Sequence, residues 1–205
     1  MRDHTRTLLV IAKSPVPGRV KTRLTPWCSP AQAALLAQAA LIDTLEAVRA
    51  TPADLRVLAL DGPSGDWLPA GFDIVPQVSG GLDERLAAAF AASEGPTLLI
   101  GMDTPQVTPS LLRVEWDRCD AWFGPAADGG FWALGLRDPD PDLLRGVPMS
   151  SPRTGVVQRQ RLVDAGLRVR DLPVLTDVDT PRDAVAVADL APDTHFAVCV
   201  KELAR

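Results

Sequence analysis

The 205-residue sequence contains no tyrosine, two histidines, three cysteines and only three lysines. Cys28, Cys119 and Cys199 stand far apart with no Cys-x-x-Cys pair. They make neither a disulfide framework nor a zinc knuckle, and a reduced cytoplasmic setting is expected. His4 and His195 lie near opposite ends, which argues against a Ser-His-Asp site or a histidine-rich metal site. Basic residues are outnumbered, 21 Lys and Arg against 26 Asp and Glu, and the net charge is −5. A general nucleic-acid binder carries the opposite balance, so no nucleic-acid partner is expected. The five tryptophans follow no stripe. Without tyrosine or basic-aromatic interleaving they form no platform for single strands. Long hydrophobic runs are scarce as well. The first, residues 8–12, is broken at once by Lys13 and Pro15, well short of the roughly 20 residues a membrane span needs. No membrane partner is expected.

What is present is the composition of a globular chain, 46% hydrophobic and 23% charged. The length suits a single domain over residues 1–205. Short apolar runs bounded by Gly, Pro and Asp predict strands at residues 7–12, 55–60, 72–75, 97–101, 120–123, 131–136 and 167–171. Helices are predicted at 30–48, 82–93, 109–116, 154–165 and, last, 181–190. Ser29-Pro30 supplies a cap and a first-turn proline. Strands alternating with helices predict an α/β fold, a Rossmann-like three-layer sandwich around a mixed, mainly parallel sheet. Ligands of such sheets bind beyond the carboxyl ends of the strands.

Polar clusters fall at those ends. The first loop, Ala12-Lys13-Ser14-Pro15-Val16-Pro17-Gly18-Arg19-Val20-Lys21-Thr22-Arg23-Leu24, gathers four cations in an acidic chain. Lys13, Arg19, Lys21 and Arg23 suit a di- or triphosphate, Gly18 allows close backbone approach, and Pro17 stiffens the loop. Neither GxxxxGK[ST] nor GxGxxG occurs here. Asp103 closes the strand at 97–101, a position from which a carboxylate can hold Mg²⁺ or Mn²⁺ against phosphates; a turn-capping role would use the same residue. In Asp177-Val178-Asp179 an extended backbone would put both acids on one side, although Asp179 or Thr180 would equally cap the helix that follows. Gln77, Gly81, Asp83 and Arg85 surround a glycine-rich helix start that can take an anion or a base edge; Asp83 also complements the helix dipole, and Arg85 can pair with a carboxylate instead. Asp128-Gly129-Gly130 is either ordinary hairpin chemistry or a close approach to substrate. Ser150 and Ser151 offer acceptor contacts or helix capping.

The first loop, the helix start at 81–85, Gly101-Met102-Asp103-Thr104-Pro105, the Asp128-Gly129-Gly130 turn and Asp177-Val178-Asp179-Thr180-Pro181 occur in this order along nearly the whole chain. Together they resemble a bacterial glycosyltransferase-like family associated with radical-SAM and selenium or arsenosugar gene neighbourhoods. That family looks like a branch of the GT-A, nucleotide-diphospho-sugar transferase superfamily, whose members include 2-phospholactate guanylyltransferase and molybdenum-cofactor guanylyltransferase. The resemblance implies a GT-A fold, a nucleotide or nucleotide-sugar and a small-molecule acceptor as partners, and Mg²⁺ or Mn²⁺ held by Asp103, Asp177 and Asp179. It implies that the first loop meets the nucleotide phosphates. The chain departs from the pattern at several places. Asp103-Thr104-Pro105 replaces the Asp-x-Asp common in glycosyltransferases of this fold, Met149-Ser150-Ser151 stands where Trp-Ser-Thr is frequent, and residues 15–18 replace a glycine-rich nucleotidyltransferase loop.

The expected reaction is glycosyl transfer from a nucleotide-diphosphate sugar. Lys21 and Asp103 would act on the leaving group, and Asp128 would serve as general base. Nucleotidyl transfer with release of pyrophosphate is the alternative, and a non-catalytic nucleotide-binding protein is a second.

Overall fold

The structure, a computed structural model, describes residues 5–25 and 27–203; His4 lies outside them. Seven strands form one sheet: β1 (Thr7–Lys13), β2 (Leu55–Asp61), β3 (Asp73–Pro76), β4 (Thr97–Gly101), β5 (Ala121–Pro125), β6 (Phe131–Leu136) and β7 (Val169–Asp171). Their order is β3-β2-β1-β4-β6-β5-β7. β1 runs parallel to β2 and β4, β2 to β3, and β5 to β7. β6 runs antiparallel to both β4 and β5. The sheet is therefore mixed and mainly parallel, with helices on both faces.

The helices are α1 (Pro30–Arg49), α2 (Leu82–Ala91), α3 (Pro109–Leu112), α4 (Thr154–Asp164), α5 (Pro181–Leu190) and α6 (His195–Leu203), with 3-10 turns at Thr22–Leu24 and Pro141–Leu143. β1 is apolar along its length because both its faces are covered. Leu8, Val10 and Ala12 meet Ala34, Ala37, Leu41 and Leu45 of α1. Leu9 faces the other way, into the core of Leu86, Ala87 and Phe90 from α2 and Leu162 from α4.

α1 is long and apolar enough to cross a membrane by length and composition, but 67% of its apolar window is buried inside the fold. Its second face, Ala33, Leu36 and Ala40, is covered by Val187 of α5 and by Phe196 and Val200 of α6. Burial on two sides accounts for its hydrophobicity. α6 lies beyond the last helix expected from the sequence, which ends at residue 190. The expected helix at 109–116 stops at Leu112, where Arg113 takes φ −80 and ψ 77.

β1 sits between β2 and β4. The chain leaves β1 for β2 through α1 on one face and reaches β4 through α2 on the other. The carboxyl ends of β1 and β4 therefore border a topological switch point, the usual ligand crevice of open α/β sheets.

Candidate functional site

The β1 loop is tied to the end of β2. The Ser14 N–H donates to Asp61 O at 2.9 Å and the Ser14 hydroxyl to Pro63 O at 2.7 Å. Beyond this anchor Pro17, Gly18 and Arg19 form an exposed tip, with Gly18 at φ 76. Lys13 and Arg19 are exposed and, among the described residues, make no ion pair. They line a small cleft with Val16, Asp61 and Gly62. The chain then turns inward. Lys21 adopts a left-handed backbone, φ 47 and ψ 37, and starts the 3-10 turn that buries Leu24.

The inward turn delivers Lys21 to the acids. Its Nζ lies 2.8 Å from Asp103 Oδ1 and 3.4 Å from Asp179 Oδ1, and the side chain is only 7% exposed. Arg23 Nη1 donates to Asp179 Oδ2 at 2.9 Å from a largely exposed position. Burial alone would lower the Lys21 pKa; Asp103 and Asp179 more than offset this and hold it above the usual lysine value.

Backbone bonds bring the carboxylate segments together. The Val178 N–H donates to Asp103 O at 2.9 Å, and Gln106 Nε2 to Thr176 O at 2.8 Å. Val178 is buried against α1 and α5 while the acids on either side of it are not part of that core. Thr180, not Asp179, caps α5. It forms a reciprocal box with Asp183 and leaves Asp179 outside the cap. Leu175 bridges to Ala126, which draws the same segment beside the Asp128 turn. Asp177 is the most confined of the acids. Among the described residues its buried Oδ1 has no hydrogen-bond partner. Burial first, then the charges of Asp103 and Asp128, push its pKa up to about 7, against the opposing pull of Lys21. Asp103, Asp128, Asp177, Asp179 and Lys21 thus converge, although they come from four separate loops.

Other predicted contacts are taken up by the protein itself. Asp128 is exposed, and its Oδ1 accepts the Gly130 N–H at 2.8 Å within the turn. The turn is closely packed at Gly129. A Cβ on Gly129, which has φ 91, would lie 2.1 Å from Pro152 O, and Gly129 O accepts the Gly155 N–H at 2.8 Å. The turn therefore sits directly on the start of α4. Ser151 Oγ accepts the Arg153 N–H at 3.2 Å in the turn just ahead of α4, whose cap position, Arg153, has no side-chain cap, and Ser150 is exposed with φ 54. Among the described residues, Lys21 and Ser150 are the two non-glycine positions with positive φ.

The helix start at α2 is also committed internally. Gln77 Nε2 donates to Ala12 O at 2.7 Å and Ala59 O at 2.9 Å, so both its donor hydrogens are used to join β1 and β2. Arg85 pairs with Asp61 at 2.7 Å and donates to Gly80 O, the carboxylate alternative of its two readings. Asp83 accepts the Gly146 N–H at 2.9 Å, which holds its pKa below the usual carboxylate value. Gly81 is the cap position of α2, with an ordinary φ of −68. Sequence reasoning passes over Asp61, though it closes β2 as Asp103 follows β4.

A second cluster lies elsewhere. Asp43, Glu46 and His195 have ligand atoms within 4.8 Å of one another. Asp43 is ~20 Å along α1 from its start. Its two oxygens accept the N–H groups of His195 and Phe196, each at 2.9 Å, so its evident work is to cap α6.

A family model described as "uncharacterized protein conserved in bacteria" (DUF2064) matches residues 32–151, more than half of the chain. This chain belongs to the DUF2064 family. The part of the DUF2064 protein that matches includes Asp103, Asp128 and Ser150; Lys21, Asp177 and Asp179 lie outside it. No curated protein gave a significant match. Among solved structures, the DUF2064 protein is similar to a candidate nucleotide-diphospho-sugar transferase from Desulfovibrio desulfuricans, with 24% identity, TM-score 0.86, and coverage of 96% of this chain and 94% of that one. It is similar to a CMP:2-keto-3-deoxy-manno-octonic acid synthetase solved with CTP, at 14% identity, TM-score 0.57, and 92% and 98% coverage. A Mycobacterium tuberculosis protein solved as a manganese complex is 24% identical, with TM-score 0.51 and 90% and 98% coverage. These likenesses establish that the DUF2064 protein shares the α/β fold of these structures.

Proposed function

We propose that this DUF2064 protein is a divalent-metal-dependent transferase acting on a nucleotide-activated donor, and that its leading reaction is glycosyl transfer from a nucleotide-diphosphate sugar to a small-molecule hydroxyl. The observation that carries this reading is the convergence of three carboxylates, one with a buried oxygen that has no hydrogen-bond partner among the described residues. An all-oxygen donor set of this kind fits Mg²⁺ or Mn²⁺. Asp103, Asp177 and Asp179 would hold the ion, which when bound neutralises charge on the diphosphate.

The remaining steps belong to the chain. Lys13 and Arg19, exposed and unpaired beside the cleft, take the donor phosphates. Lys21 adds positive charge where the leaving group departs. Asp128 keeps Oδ2 free of its turn bond and accepts the proton of the attacking hydroxyl. The C–O bond to the diphosphate breaks as the new glycosidic bond forms, and the nucleoside diphosphate leaves. Most of the rate would come from positioning and charge stabilisation. Residues 1–205 act as one catalytic unit in this reading.

Nucleotidyl transfer is the second reading. It is favoured by the site taking its further acids from Asp177 and Asp179, with Pro105 where an Asp-x-Asp would place one beside Asp103. A structural neighbour binding CTP is in keeping with it, and the guanylyltransferase resemblance suggests guanine as another base to test.

A thermal-shift panel of the four nucleoside triphosphates and common nucleotide-sugars, with and without Mg²⁺ or Mn²⁺, separates the readings. A ligand at 100 times its Kd adds about 2.7 kcal/mol of stability. Metal-dependent stabilisation by a nucleotide-sugar, with release of nucleoside diphosphate on turnover, supports glycosyl transfer. A response to one triphosphate with release of pyrophosphate supports the second reading. Binding without turnover of any donor points to a non-catalytic nucleotide-binding protein. Asp103→Asn is expected to lower turnover by on the order of 100-fold; full metal-dependent turnover in that variant sinks the assignment.

A further inference from the structure

Asp179 is fully engaged before any ligand arrives. Lys21 Nζ holds its Oδ1 at 3.4 Å and Arg23 Nη1 holds its Oδ2 at 2.9 Å. The same Lys21 ammonium holds Asp103 Oδ1 at 2.8 Å. Two of the three acids assigned to the metal thus already share one buried cation. The third, Asp177, has a buried Oδ1 with no hydrogen-bond partner among the described residues. Lys21 reaches this position from a left-handed backbone, φ 47, that an L-residue seldom adopts. The loop geometry therefore works to place an ammonium between Asp103 and Asp179. An ammonium and a divalent ion on the same carboxylate oxygens repel each other, and in a half-buried site that repulsion is weakly screened.

We propose that Lys21 is a built-in counter-ion that competes with the divalent metal for Asp103 and Asp179, and that it gives up the site when donor phosphates offer it other oxygens. This rests on the metal-dependent reading above and adds an order of binding to it. The metal alone is held weakly, with Asp177 as its open ligand. Donor and metal then strengthen each other's binding, because the phosphates that draw Lys21 away also free the oxygens the metal needs. Lys13 and Arg19 have no such role, since neither touches these acids. In the ligand-free protein Lys21 keeps Asp103 and Asp179 from repelling each other, so the site stays formed while it waits.

Calorimetric titration of nucleotide-free protein with Mn²⁺ tests this in the wild type, in Lys21→Met, and in both backgrounds with Asp103→Asn. Lys21→Met is expected to bind Mn²⁺ about tenfold tighter than the wild type, within the usual range of such couplings, and to lose that binding when Asp103→Asn is added. Equal affinity in wild type and Lys21→Met, abolished in both by Asp103→Asn, overturns the competition and leaves the metal site standing. Absence of any Asp103-dependent binding overturns both.

Removing a cation from among acids can unfold the loop, so the wild type is also read directly. The sequence has only Lys13, Lys21 and Lys201, so ¹⁵N-lysine labelling gives three side-chain ammonium signals. Mg²⁺ alone is expected to move the Lys21 signal and leave the other two unchanged. A Lys21 signal that stays in place while the carboxyl carbons of Asp103 and Asp177 shift overturns the proposal.

Discussion

A carboxyl group held at a pKa of about 7, as in Asp177, couples both metal affinity and stability to pH. The folded protein keeps this proton up to about 7, whereas the unfolded chain releases it near the ordinary carboxylate value. Between those limits the native state binds more protons, so stability falls as pH rises through the interval and stays lower above it. A tenfold difference in proton affinity between the folded and unfolded carboxyl is worth about 1.4 kcal/mol, so the whole effect is a few kcal/mol. In chelator-treated protein the melting temperature is expected to drop between about pH 4 and pH 7, and Asp177→Asn should flatten that profile. Mn²⁺ affinity should move the other way, rising toward pH 7 and levelling above it, because the ion needs the ionised carboxylate.

At the same scale, Gly155 lies near the start of α4, where alanine ordinarily favours a helix by about 1 kcal/mol. Here a Cβ would meet Gly130 O at 2.5 Å, so Gly155→Ala is expected to destabilise by ~1–3 kcal/mol in urea unfolding. Single residues were legible to different degrees. Asp103, Asp177 and Asp179 stand at strand and helix ends, and position alone nominates them. Gly129 and Gly130 suggest a ligand approach, but their close neighbour is the start of a helix well further along the chain, which no local pattern encodes. Gln77, Asp83 and Arg85 have the chemistry of ligand-binding groups, and only the folded chain reveals that their hydrogen bonds are already made.

Among elements, α6 shows how a local signal and a distant one combine. Thr194 caps it locally by accepting the Ala197 N–H at 3.1 Å, and that part was present in the sequence. The other cap is Asp43, 152 residues away. Burial raises the Asp43 pKa despite the two N–H groups that stabilise its charge. Asp43→Ala leaves both N–H groups without acceptors and is expected to cost ~1–2 kcal/mol. Hydrogen exchange should show protection lost first at His195 and Phe196. By contrast, the caps of α1 and α5 are wholly local, Ser29 with Gln32 and Thr180 with Asp183, and both starts were legible from the sequence. β1 and β4 were equally plain, because a strand buried on both faces must be apolar throughout. The helix beginning at Pro109 is shorter than its apolar pattern predicts. Trp116 and Val114 are buried by tertiary packing, which imitates a longer apolar helix face.

In the whole molecule, α1 lies between the sheet and the α5–α6 pair. A chain ending after residue 191 would lose α6 and expose Leu36 and Ala40. Such a truncation is expected to lower the melting temperature by more than ~10 °C and to bind an apolar dye, since several fully buried side chains would meet water. The mixed sheet was legible as a class. The antiparallel direction of β6 is legible only through the hairpin alternative for Asp128-Gly129-Gly130, the turn that joins it to β5, because the direction of a strand buried on both faces leaves no mark on its composition.

The hydrogen bond from the Val178 N–H to Asp103 O joins positions 75 residues apart and closes the carboxylate cluster. Its consequence is temporal. During synthesis the central strands and Lys21 emerge first, and Asp177 and Asp179 follow them. A chain still growing on the ribosome can hold most of its sheet and all of its phosphate-facing loop, yet only one of the three acids. The carboxylate cluster is thus completed only after the central strands have been made, just before the helix that follows Asp179 comes to cover α1.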